Sequence, residues 1–120
     1  QPELSPLRID TIENGELDQA IAMDLAVLAW SPLGGGRIGN PGDTREQNVA
    51  AALSSVAAAH GVSRTAAAYS WIMAHPARPI PIVGSQNPAR IMEAADAFKI
   101  KWTRADWYSV LVAARGVPLP

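Results

Sequence analysis

Val27–Asp43 reads VLAWSPLGGGRIGNPGD, an apolar run that opens into a loop with five glycines and two prolines. Together with Leu25 and Ala26 the run forms LAVLAW, Leu25–Trp30, bounded by Asp24 on one side and Ser31-Pro32 on the other. A short apolar segment between turn residues predicts a strand buried on both faces, as in parallel sheets. Gly34, Gly35 and Gly36 follow the strand's C-terminal end. Three glycines there permit positive φ and let amide N–H groups converge on an anion. The same glycines also suit a loop that merely tolerates them, and the stretch alone leaves both readings open. It is not a P-loop, because no Gly-Lys-Ser/Thr follows.

Elements alternate on either side of this stretch. QPELSPL, residues 1–7, resembles the tail of a strand, and Asn14-Gly15 marks a turn before a helix carrying Leu17, Ala20, Ile21 and Asp24. Beyond the glycines, Thr44 and Gln47 have capping-box spacing, and Val49, Leu53, Val56, Ala57 and His60 keep a helical period up to Gly61. Ser63 caps a second helix with Ala68, Trp71 and Ile72 facing inward, and Pro76 ends it. PIPIVG, Pro79–Gly84, is the next strand, with Pro81 expected near its beginning or at a bulge. Asn87 and Pro88 then start a helix whose Ile91, Ala95 and Phe98 form a buried stripe. Thr103 and Asp106 cap the last helix, which turns Trp107, Val110, Leu111 and Ala114 inward and stops at Gly116 and Pro118. This order predicts an α/β fold of βα units around a parallel sheet. Two strands and a strand end do not close such a sheet, so residues 1–120 read as a single partial domain of a β/α barrel.

Composition narrows the function. The chain has 120 residues, is 48% hydrophobic, carries a formal charge of −1 and contains no cysteine. Near-neutrality argues against a nucleic-acid partner. Charges interrupt every long apolar run, which argues against a membrane span. The lack of cysteine rules out disulfides and thiolate metal sites and fits a cytoplasmic protein. No His, Asp or Glu cluster has metal-ligand spacing, so no metal is expected. His60 and His75 sit at helix ends, where capping or surface roles are expected. The N-terminus shows no secretory signal pattern and no methionine, which reads as either a processed start or a piece of something longer.

Two further stretches carry candidate chemistry. In VGSQNPARIMEA, Val83–Ala94, a strand ends at Gly84-Ser85 and a helix opens at Asn87-Pro88, with Arg90 in its first turn. Free helix-start amides, a hydroxyl and a guanidinium make a phosphate site. Ordinary capping with a solvent-facing arginine is the competing reading. Both candidate anion sites follow consecutive strands, so a nucleotide with separated phosphates would bridge them. Trp30, with Ser31 beside it, either stacks on a planar ring or packs into the core.

The ordered segments QPELSPL, GELDQAI, LAWSPLGGGRI, GVSRTAAAYSWIMAHPARPIPIVGSQNPARI and WTRADWYSVLVAARG strongly resemble the C-terminal portion of the aldo/keto reductase family. The resemblance implies the last two to three βα units of a (β/α)8 TIM barrel that binds NADP(H) and moves hydride between nicotinamide and a carbonyl or alcohol. It implies that Gln1 holds the carboxamide and Trp30 stacks on the nicotinamide. Ser31, Leu33, Gly34, Gly35 and Gly36 pass the pyrophosphate. Ser85 and Arg90 grip the 2′-phosphate with Asn87 nearby, and Glu93 lies near the adenine. Two positions depart from the family: Gly84 stands where many members have a lysine or arginine, and Ala94 where many have an asparagine.

The family's catalytic aspartate, tyrosine, lysine and histidine come from the first half of the barrel and have no counterpart in this sequence. Tyr69 and Tyr108 fall on predicted outer helices and are not substitutes. No catalytic residue is therefore assigned, and the polypeptide is expected to be inactive alone. Its expected partner is a missing N-terminal half-barrel or a second copy. A non-catalytic nucleotide-binding or interaction module is the alternative.

Overall fold

The computed structural model describes residues 1–117; Pro118, expected to stop the last helix, lies outside them. One-turn α1 (Asp10–Glu13) and α2 (Glu16–Ala22) precede β1 (Leu28–Ala29). Then come α3 (Thr44–His60), α4 (Arg64–Met73) and β2 (Ile80–Pro81). α5 (Pro88–Ala95), a 3₁₀ turn at Asp96–Lys99 and α6 (Arg104–Arg115) complete the order. β1 and β2 pair in parallel, with Leu28 opposite Ile80 and Ala29 opposite Pro81. The N-terminal segment adds a parallel bridge between Glu3 and Trp30, closed by Leu4 N–H to the Trp30 carbonyl (3.2 Å) and Trp30 N–H to the Pro2 carbonyl (3.0 Å). The expected alternation of parallel strands and helices is therefore present, with shorter strands.

The sheet is buried on one face, not two. Val27 and Ala29 are buried against the helices, while on the opposite face Trp30 is 47%, Ile80 54% and Ile82 41% exposed. An apolar residue at every strand position marks a face able to be covered. Among the described residues nothing covers this one. Pro81 is the second residue of β2, near the strand's beginning as expected. Ile80 and Ile82 donate to the Val27 and Ala29 carbonyls at 2.8 and 2.9 Å, so the intervening Pro81 directs its donorless nitrogen to the free edge. A proline costs no ladder bond there.

The core lies where α3 packs against α4 and α6, with Val49, Leu53, Trp71 and Val110 fully enclosed. α3 starts with a capping box one residue earlier than the Thr44–Gln47 reading. The Glu46 N–H donates to Asp43 Oδ1 at 2.8 Å, and the Glu46 carboxylate accepts from the Asp43 N–H. It ends at Gly61, whose φ of +67° suits glycine. Val49, Leu53, Val56 and Ala57 are buried as expected. Ser63 caps α4 through the Ala66 N–H, and Ala68, Trp71 and Ile72 are buried.

Tryptophans join α4 to α6. Trp71 and Trp107 stack with centroids 4.8 Å apart and exchange bonds, Trp71 Nε1–H to the Trp107 carbonyl (3.0 Å) and Trp107 Nε1–H to the Trp71 carbonyl (2.9 Å). The Trp102 indole N–H donates to Ser70 Oγ at 2.9 Å. Indoles enter a core at low cost when each polar edge finds an acceptor.

α5 departs from expectation most. Asn87 caps it through the Ala89 N–H with Pro88 at its first position, yet it buries no residue. Ile91 is 48% and Phe98 80% exposed, and Ala95 is exposed as well. The stripe is real, but it faces an open apolar groove of about 570 Å³ with Met73, Ile80 and Val83.

Candidate functional site

The glycine loop is held firmly rather than slack. Ser31, Gly34, Gly35 and Gly36 have φ of +50°, +63°, +66° and +88°. Three consecutive positive φ values from Gly34 to Gly36 suit glycine alone, while Ser31 adopts the left-handed region as a non-glycine residue. Turn bonds from Gly34 N–H to the Ser31 carbonyl (3.0 Å) and from Ile38 N–H to the Leu33 carbonyl (3.2 Å) fold the loop on itself. Ile38 plugs the core at 1% exposure, and Arg64 Nη1 donates to its carbonyl at 3.1 Å. The buried Glu46 carboxylate accepts from Gly42 N–H at 2.8 Å and pairs with Arg37 Nε at 3.1 Å. The amides of Gly35 and Gly36 are not among the loop's internal donors. A Cβ built on either residue meets nothing within 4 Å.

These glycines form one wall of a cleft of about 660 Å³. The second wall is the β2–α5 junction. There Ser85 Oγ accepts from Asn87 N–H at 3.1 Å, keeping its own hydrogen free. Arg90 stands exposed in the first turn of α5, with no ion-pair partner among the described residues. Glu93 follows one turn on. Of the sequence candidates, the fold brings Ser31, Leu33, Gly35, Gly36, Ser85, Arg90 and Glu93 to this one cleft. Gly34 turns inward instead, where a Cβ would meet Leu7 Cδ1 at 3.0 Å. Asn87 spends its side chain on the cap and is not part of the lining.

Trp30 is not a core residue. Its indole is 47% exposed at the end of β1, and its bridge to Glu3 brings Gln1, also exposed, to the same region. Both lie outside the cleft lining, and by the Glu3–Trp30 register Gln1 falls opposite Leu28.

Thr65 and Tyr69 are cleft residues that the sequence reading left out. Tyr69 is on a helix, α4, as the pattern predicts, and its side chain is 5% exposed. The available signal was two hydroxyl residues four apart on an otherwise alanine-rich helix, which puts them on one face. Burial first, then the Glu93 carboxylate, pushes the Tyr69 phenol above its ordinary pKa, while Arg90 opposes the rise. The phenol therefore stays a neutral donor in the physiological range.

The histidines lie elsewhere. His60 Nδ1 sits 2.9 Å from the Val56 carbonyl in the last turn of α3. His75 Nδ1 accepts from Ala77 N–H at 3.0 Å. Burial lowers the His75 pKa and Asp18 offsets part of this. Among the described residues no group of three His, Asp or Glu side chains could hold a metal ion.

The cleft therefore carries one guanidinium, one carboxylate, several hydroxyls and four glycines. Such groups are chemically suited to a phosphorylated, hydroxyl-bearing ligand.

Comparison with known proteins gives a consistent answer. The family model described as "Aldo/keto reductase family" matches residues 1–111. A 6-dehydroglucose reductase of Novosphingobium aromaticivorans is 64% identical over all of this chain and 40% of its own length. Another 6-dehydroglucose reductase, from Agrobacterium fabrum, is 38% identical over 97% of this chain and 38% of its own. The chain thus spans about two fifths of the length of these curated relatives. Among solved structures, a thermostable aldo-keto reductase in complex with the inhibitor epalrestat superposes with a TM-score of 0.76 at 18% identity, over 92% of this chain and 38% of the other. With its matching family model, its close relatives and its shared fold, the chain belongs to the aldo/keto reductase family.

Proposed function

We propose that this chain supplies the cofactor-contacting part of an NADP(H)-dependent oxidoreductase, the C-terminal portion of its (β/α)8 barrel. One observation carries the reading: the glycine loop after β1 and the Ser85–Arg90 junction after β2 open onto a single cleft. Their residues fit the cofactor. The Gly35 and Gly36 amides would face its pyrophosphate, with no Cβ in the way. Ser85 and Arg90 would hold the adenosine phosphate, and the exposed Trp30 indole would offer the nicotinamide a flat apolar surface. When bound, the cofactor supplies hydride exchange with a carbonyl or alcohol. This chain's own residues bind, orient and shield it. Proton transfer is assigned to the rest of the barrel, which would also cover Trp30, Ile80, Ile82 and the α5 groove. Since two relatives are named 6-dehydroglucose reductase, that sugar is the first substrate to assay.

The test is NADPH titration by fluorescence on the purified protein and its Arg90→Ala variant. Losing a hydrogen bond to a charged group costs about 1.5–3 kcal/mol, or roughly ten- to a hundredfold in affinity. Unchanged affinity would remove Arg90 from the site and this reading with it.

A further inference from the structure

We propose that Tyr69 is a ligand-binding residue of the cleft, whose hydroxyl donates to the phosphate that Arg90 grips on an adenosine ribose. This rests on the NADP(H) reading above. The cleft needs another donor. Arg90 is the one cation among its lining residues, and Glu93 offsets that charge. A phosphate monoester presents three strong acceptor oxygens, more than a single planar fork satisfies. The further donors on the lining are the hydroxyls of Ser31, Thr65, Tyr69 and Ser85. Ser85 already serves that phosphate, and Tyr69 is the best placed of the remaining three. Its position is set by packing, because the residue is 5% exposed and flanked by the buried Ala68 and Ser70. A phenol on a fixed ring loses little rotamer freedom on binding. It also lies within electrostatic reach of both α5 charges, which push its ionisation in opposite directions. Burial and Glu93 keep the proton on the oxygen, so it donates rather than repels.

The experiment is calorimetric titration with two probes, adenosine 2′-phosphate and adenosine, against the unaltered protein, Tyr69→Phe and Arg90→Ala. Tyr69→Phe keeps the buried ring and should weaken adenosine 2′-phosphate about ten- to a hundredfold while leaving adenosine unchanged. If Arg90→Ala weakens the phosphate probe and Tyr69→Phe does not, the Tyr69 assignment falls and the cofactor reading stands. If neither variant alters binding, or the unaltered protein does not distinguish the probes, both fall. An independent measurement covers loss of folding in the variant. In the unaltered protein, tyrosinate absorbance followed against pH should move upward for one of its two tyrosines when adenosine 2′-phosphate is added. The Tyr108→Phe variant should keep that shift, since Tyr108 packs on Trp107 away from the cleft. Absence of any shift overturns the proposal.

Discussion

Glu46 tests whether the glycine loop is held from beneath. It is a carboxylate 2% exposed on α3 that touches no part of the cleft lining. It accepts from Gly42 N–H at 2.8 Å and more weakly from Asp43 N–H at 3.4 Å. Its ion pair with Arg37 involves a guanidinium side chain that is 66% exposed. Solvent screening leaves that pair about 0–1 kcal/mol. The short amide bond to a charged acceptor contributes about 1.5–3 kcal/mol, and the long one adds little. Glu46→Ala should therefore cost about 2–3 kcal/mol, or roughly 6–15 °C in melting temperature for a chain of this size. Glu46→Gln keeps an amide-accepting oxygen and loses the charge, so it should cost about 1 kcal/mol. Thermal unfolding gives the stabilities, and limited proteolysis reports cleavage between residues 31 and 43. Cofactor affinity should fall in the same order, although Glu46 touches no ligand. Equal costs for the two variants, or a destabilised alanine variant with an unaltered loop, would show that the loop is held by other means.

Two more outcomes follow from the same geometry. Gly34→Ala should destabilise more than Gly36→Ala: both force a side chain to positive φ, at about 1–2 kcal/mol, but only at Gly34 does a Cβ press on Leu7, at 3.0 Å. Urea denaturation of the two variants decides it, and an equal cost would mean that Leu7 yields freely. His75 should make stability depend on pH, because burial holds its folded pKa below the ordinary imidazole value of about 6.5. The unfolded chain then takes up the proton first, so stability is full above that value and declines as pH falls through it toward the folded pKa. Denaturation from neutral to mildly acidic pH should show this slope, and His75→Gln should flatten it; identical slopes would exclude His75 as the source.

Those parts of the fold that depend on local chemistry were legible in the sequence. Caps at Ser63, Asn87 and Thr103 and the glycine stop at Gly61 are short-range events, and each is where the pattern put it. The first cap of α3 was misplaced because Asp43–Glu46 and Thr44–Gln47 share one spacing. The reciprocal bonds between Asp43 and Glu46 separate them. Burial of the Ile91–Ala95–Phe98 stripe and of the second face of the LAVLAW strand is absent for a different reason. Periodicity reports that a face is apolar, and burial also requires something opposite it. Most of the cleft lining was legible because its residues follow strand ends. Thr65 and Tyr69 were not, since their role depends on which helix face meets a loop roughly thirty residues earlier in the chain.

The cleft's two main walls differ in how they are held, and this bears on binding. The glycine wall is tied to the core by Ile38, Arg64 and Glu46, so its amides are already in place. The α5 wall carries Arg90 on a helix that buries no residue of its own. Tyr69 separates the cleft from the apolar groove on the other side of α5, and it lines both. Whatever covers Ile91 and Phe98 in that groove would steady the helix bearing Arg90 without touching the ligand. Covering the groove and filling the cleft should then favour one another, with the same coupling in either direction.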